Sequence, residues 1–127
     1  MAQFMKPYSS QTYALMRIIV GLLFLCHGLS KLFNFPIAPP PGIPGFVIYG
    51  AGTIELVAGA LVAAGLATRW AAFIASGEMA AAYWMAHGTR AFFPIANQGE
   101  LAVVYCFLFL FIAAHGPGVW SIDAARE

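Results

Sequence analysis

The stretch GAGTIELVAGALVAAGL, residues 50–66, decides the reading of this chain, because it is apolar enough for a membrane interior yet carries a carboxylate, Glu55, among apolar and small residues. An acidic side chain at the centre of an inserting helix costs about 2.5–3.5 kcal/mol on insertion scales. Apolar neighbours can offset that cost, but they do not explain the choice of residue.

The rest of the chain calls for the same solvent. Of 127 residues, 61% are hydrophobic and 9% charged, against roughly 45–50% apolar and 25% charged in soluble domains. The net charge of +1 offers no basic face to nucleic acid and no acidic solvating arm. A soluble core of buried helices would leave too few polar residues to clothe it.

A hydrocarbon layer about 30 Å thick needs about 20 mostly apolar helical residues. Four stretches qualify, at 12–33, 46–66, 70–87 and 98–115, the last two near the short limit. The fold class is therefore all-α, an integral membrane four-helix bundle forming a single domain over residues 1–127.

The connections support that division. In FPIAPPPGIPG, Pro36, Pro39, Pro40, Pro41 and Pro44 forbid a regular helix and favour extended backbone outside the hydrocarbon. ATR at 67–69 is a minimal link, GTRAFFPIAN joins helices three and four, and HGPG at 115–118 ends the fourth helix. With the N-terminus inside, Lys6, Arg69 and Arg126 fall on the cytoplasmic side and Lys31 and Arg90 outside, so both termini are placed in the cytoplasm. No small-residue cleavage pattern follows the first apolar run, and the first helix is expected to stay in the mature protein. Trp70, Tyr83 and Trp120 read as interface anchors or packing residues.

The ionisable groups inside the spans carry the functional information. Glu55 lies near the middle of the second span and Glu78 near the middle of the third. On the first helix, Arg17, Phe24, His27, Gly28 and Lys31 share one side of the wheel while Cys26 points away. Arg17 is the expected partner of Glu55 or Glu78, since its long side chain reaches toward the midplane. Gly52 and Gly59 share the Glu55 face and admit a neighbouring helix closely. A structural ion pair locking the helices and a proton-accepting or ligand-binding carboxylate explain these residues equally well.

A second polar group, His27, Lys31, His87, Asn97, Gln98 and Glu100, gathers toward the outer side. It has no metal-ligand spacing, so capping and anchoring of helix ends is the favoured reading. Cys26 and Cys106 lie in separate spans, with no C-x-x-C pair, and are expected to be buried free thiols.

HGLSKLF at 27–33, the glutamate of GTIELVAGALVAAGLATR at 52–69, Glu100 in NQGELA and the closing HGPGVWSID at 115–123 together resemble the DoxX family of small four-helix membrane proteins, over nearly the whole chain. The resemblance implies a multi-pass protein of a prokaryotic cytoplasmic membrane. It also implies association with redox chemistry, as a subunit of a quinone-linked oxidoreductase or as a membrane partner of a redox enzyme. A membrane-soluble quinone is then the natural carrier, with Glu55 and Glu78 as proton-handling residues and Arg17, His27, Lys31 and Glu100 as binding residues. A non-catalytic anchor for a soluble redox enzyme, a small-molecule or proton transporter, and a homo-oligomer remain as alternatives, the transporter disfavoured because no span is discontinuous.

Overall fold

A computed structural model describes residues 2–127. A 3-10 turn over Lys6–Tyr8 leads into α1 (Ser9–Phe33). Then follow α2 (Gly45–Ala64), α3 (Thr68–Ala86), a single turn α4 (Pro94–Asn97), α5 (Glu100–His115) and a second single turn α6 (Ile122–Ala125). No strand occurs among the described residues. At 1.5 Å per residue α1 is about 37 Å long and α5 about 24 Å.

Local chemistry sets the helix ends. Asn34, at φ 56°, and Gly65, at φ 72°, stop α1 and α2 in left-handed conformations that return backbone N–H groups to the last carbonyls. Pro44 opens α2 and Pro94 opens α4 at positions where no helical N–H is needed. Gly65 could not be replaced even by alanine, because Ser121 of the C-terminal segment occupies the space of a Cβ.

The four long helices pack mainly as two pairs, α1 on α2 and α3 on α5, joined through a smaller α2–α3 contact. The α1–α2 contact is backbone on backbone. A Cβ on Gly21 would stand 2.5 Å from the amide of Ala63, and one on Gly59 2.6 Å from the amide of Leu25. Gly28 meets Leu56 and the carbonyl of Gly52 in the same way, so Gly21 faces Gly59 and Gly28 faces Gly52 along an antiparallel pair. A single apolar core runs through the molecule from Val20 and Phe24 of α1 to Val62 of α2, Ala75 and Met79 of α3, and Tyr105, Phe109 and Ile112 of α5.

The outer faces are apolar too. Leu15, Ile19, Leu22 and Leu23 of α1, Phe73 and Ile74 of α3, and Leu101, Val104 and Phe107 of α5 are all exposed. Soluble monomers rarely leave such a belt uncovered. By length and composition two stretches, Lys6–Phe33 and Gly45–Ala64, are able to cross a membrane, and Glu100–His115 is a shorter apolar helix. The third expected span, α3, is less apolar because it includes Arg69, Ser76 and Glu78.

Candidate functional site

The glycine contact fixes how the charged residues meet. Because Gly21 lies opposite Gly59, Arg17 falls beside the last turn of α2 and Lys31 comes within reach of its middle. Lys31 Nζ donates to Glu55 Oε2 at 2.7 Å, with Glu55 only 3% exposed. Lys31, read from the sequence as part of an outer cluster, is thus the partner of the deep carboxylate.

Arg17 is not that partner, and the expected pairing with Glu55 or Glu78 is corrected. It is fully buried, and its guanidinium is taken up by backbone carbonyls. Nε donates to Val62 O at 3.1 Å, one terminal nitrogen to Pro117 O and to Val119 O at 3.1 Å, and the other to Trp120 O at 2.7 Å. A planar fork of five donors suits such a set of acceptors as an ammonium does not. With its donors committed in this way, Arg17 is a structural clamp on the C-terminal segment.

That segment is tied down at further points. Tyr13 Oη donates to Gly116 O at 2.7 Å. The Asp123 carboxylate accepts from the amides of Ala67 and Thr68, both at 3.0 Å, and from Thr68 Oγ1 at 2.9 Å. It thereby caps α3 and holds Ala67 at φ 49°. The Thr68 amide, with those of Ala67 and the Thr68 hydroxyl, holds the Asp123 carboxyl below its ordinary range. Arg69 covers the other helix end there, donating to Ala113 O at 3.0 Å and Ala114 O at 2.6 Å.

Glu78 is the unresolved member. Both its carboxyl oxygens are buried without a hydrogen-bond partner among the described residues. Glu55 and Lys31 are the charged groups within electrostatic range of it. Buried polar atoms are nearly always partnered, so this acid stands out.

His27 and Tyr105 border the same centre. The His27 ring meets Tyr105 edge-on at 5.9 Å, and Tyr105 stacks on Phe109 at 5.8 Å and leans on Phe24 at 5.4 Å. One polar or ionisable side chain from each long helix, Lys31, Glu55, Glu78 and Tyr105, therefore converges on one region, with His27 at its exposed edge. Tyr105 was missed in the sequence because it is one aromatic among the many of an apolar helix.

Glu100 lies elsewhere. It is exposed at the start of α5 and lines a shallow concavity of about 390 Å³ with Pro94, Ile95, Gln98, Leu101 and Val104. His87 and Asn97 form a separate knot. Asn97 Nδ2 donates to Tyr83 Oη at 2.9 Å and Ala91 O at 3.1 Å, and the backbone carbonyl of Asn97 contacts His87 Nδ1 at 3.0 Å. Tyr83 is thus held within the protein. Cys26 is exposed, against the expectation of burial, and Cys106 is half-buried, its carbonyl accepting from Ser76 Oγ at 2.7 Å.

Comparison with known proteins bears on the whole chain. The family model described as DoxX matches residues 12–88. An uncharacterised protein of Haemophilus influenzae is 41% identical over 125 residues, covering 94% of this chain and 93% of its own. The uncharacterised membrane protein Rv3486 of Mycobacterium tuberculosis is 30% identical, with 84% and 76% covered. A Bacillus subtilis protein named "Putative oxidoreductase CatD" is 42% identical over 59 residues, with 43% of this chain and 44% of that one covered. No solved structure matches significantly.

Proposed function

This chain belongs to the DoxX family, and on that premise we propose that it is the membrane subunit of a redox system which exchanges a proton with a quinone headgroup at the Lys31–Glu55–Glu78 centre. In this reading the four long helices cross a bacterial inner membrane as a bundle. The two termini lie in the cytoplasm, where Arg69 and Arg126 border one concavity. The exposed apolar belt and the membrane-protein relative support the location. The relative named as an oxidoreductase supports the redox association.

Glu78 carries the reading. A carboxyl with two buried, unbonded oxygens can donate to a ligand carbonyl when protonated and accept from a ligand hydroxyl when ionised. Two carboxyls and one ammonium are electrically neutral when they hold a single proton, so the centre has one exchangeable proton and a lysine that offsets the remaining charge. Quinone, when bound, supplies the acceptor for two electrons from a soluble oxidoreductase partner and for two protons, which the centre passes one at a time, reloading from solvent. The donor set fits such a headgroup. The concavities of about 390 and 490 Å³ lie away from the centre, so a headgroup would approach from the lipid side.

Titration of the purified protein in nanodiscs with tetramethyl-benzoquinone, followed by quenching of tryptophan fluorescence, tests this. Saturable quenching that weakens at least tenfold in Glu78→Gln is expected. A folded wild-type protein that binds no quinone sinks the idea.

A second reading, a non-catalytic anchor for a soluble redox enzyme, is favoured by the concavity of about 490 Å³ that Arg69, Trp70, Pro117, Asp123 and Arg126 line. A partner that co-purifies equally well with Glu78→Gln, together with absence of quinone binding, would select it.

A further inference from the structure

The helix seams of this molecule are not alike. Along α1 and α2 the backbones touch, glycine against backbone, and leave no room for a guest. The α3–α5 pair is likewise broadly packed, with Ser76 Oγ bonded to Cys106 O at 2.7 Å. Between α1 and α5 there is no comparable backbone contact. That seam is bridged by rings, with Phe24 against Phe109 at 4.7 Å, Phe24 against Tyr105 at 5.4 Å, His27 against Tyr105 at 5.9 Å and Tyr13 against Phe111 at 5.9 Å.

Ring-bridged seams differ from backbone-bridged ones in what they can admit. Aromatic side chains turn about two torsions and present flat faces, so a planar molecule can replace one ring contact by another of the same kind. Depth along the seam is graded. Cys26 and His27 are exposed on the α1 side, and Tyr105 behind them is buried. The Tyr105 phenol lies within electrostatic range of both the exposed Cys26 and the buried Glu55. A phenylalanine would serve the stacking on Phe24 and Phe109 equally well, so packing alone does not account for the hydroxyl.

We propose that the α1–α5 seam is the lateral route by which a planar, lipid-soluble carbonyl compound reaches Glu55 and Glu78, with His27 and Tyr105 as the residues that position it. The proposal rests on the assignment of a ligand to that centre and adds where the ligand passes and what holds it. The Tyr105 hydroxyl and the His27 ring nitrogen supply hydrogen bonds to the outer carbonyl while the inner one meets Glu78. Phe24 and Phe109 supply the flat walls.

Cys26, expected from the helical wheel to point away, is nonetheless within electrostatic range of the Tyr105 phenol and exposed, which makes it a reporter for the outer edge of the seam. The experiment uses the full chain carrying Cys106→Ala in nanodiscs and measures the rate of Cys26 labelling by N-ethylmaleimide with and without tetramethyl-benzoquinone, whose ring has no position open to the thiol. Labelling at least threefold slower with the quinone is expected. Tyr105→Phe should weaken binding about fivefold with an unchanged thermal midpoint, and His27→Trp, which fills the seam, should slow association more than it alters affinity.

If quinone binding depends on Glu78 but Cys26 labels at one rate throughout and Tyr105→Phe binds like the wild type, the route is wrong and the centre stands. If the folded wild type binds no quinone, both fall.

Discussion

Lys31 reaches Glu55, at 2.7 Å between Nζ and Oε2, because their helices run antiparallel and each side chain leans toward its own helix N-terminus. On this pair the two leanings converge. Arg17 leans toward the same end of α1, but it starts on the N-terminal side of the Glu55 level, so its lean carries it away from that carboxylate to the carbonyls of Val62, Pro117, Val119 and Trp120.

Removing one partner of a buried pair leaves the other uncompensated. Lys31→Met is expected to destabilise the protein by about 3–5 kcal/mol, while the double variant Lys31→Met with Glu55→Leu recovers most of that loss. Thermal unfolding of the four members of the cycle in one detergent checks it. Additive effects would show that the contact contributes nothing.

The Arg17 clamp makes a different demand. Arg17→Lys keeps the charge but cannot span four carbonyls, so it should free the segment 116–123 almost as completely as Arg17→Met. Hydrogen exchange at the bonded amides of Asp123, Ala124 and Ala125 should rise by at least tenfold in both variants, and full protection in Arg17→Lys would refute the assignment.

Asp123 gives that segment an acid limit. Its folded carboxyl titrates below the ordinary 3.8 because the amides of Thr68 and Ala67 and the Thr68 hydroxyl bind its charged form. A folded value below the unfolded one means that the stabilisation is complete above the unfolded value and is lost as pH falls through the folded one. Protection of residues 119–125 should therefore hold from neutral pH down to about pH 4 and decline below it. In Asp123→Asn it should be weaker at neutral pH and lack this acid-dependent loss.

The α1–α2 contact has no tolerance for bulk. Gly59→Ala, whose Cβ would stand 2.6 Å from the Leu25 amide, should cost about 1–3 kcal/mol by forcing the backbones apart. Gly77→Ala, with nothing within 4 Å, should leave the thermal midpoint unchanged or slightly raised. Equal effects at the two positions would contradict the packing.

Much of this architecture is legible in the sequence, and what is not has an identifiable cause. The proline run of 36–44 marks a helix boundary directly, whereas α2 ends at Ala64, two residues short of the expected span, because Gly65 turns left-handed. The deep position of Glu55 is equally plain. Its partner is not, because centring each helix on the bilayer leaves Arg17 within a long side chain's reach of Glu55, whereas the glycine contact slides α1 along α2 until Gly21, the middle of α1, faces Gly59. The equal seven-residue spacing of Gly21 and Gly28, and of Gly52 and Gly59, was the available signal, and it had to be read on both helices at once. The receptor for Arg17 is made of backbone carbonyls, which no residue type announces, and Tyr105 differs from its neighbours by a single hydroxyl.

The Arg17 clamp also has a consequence in time. Its acceptors come from the second helix and from a segment more than ninety residues further along the chain, as the 100-residue separation from Pro117 shows. While the protein is being synthesised, the guanidinium of the first helix waits without most of its acceptors until Trp120 has left the ribosome. Membrane insertion of this chain therefore closes backwards, with residues made about a hundred positions later satisfying Arg17, and a nascent chain halted before Pro117 should be recognised by quality-control proteases as incomplete even with all four long helices made.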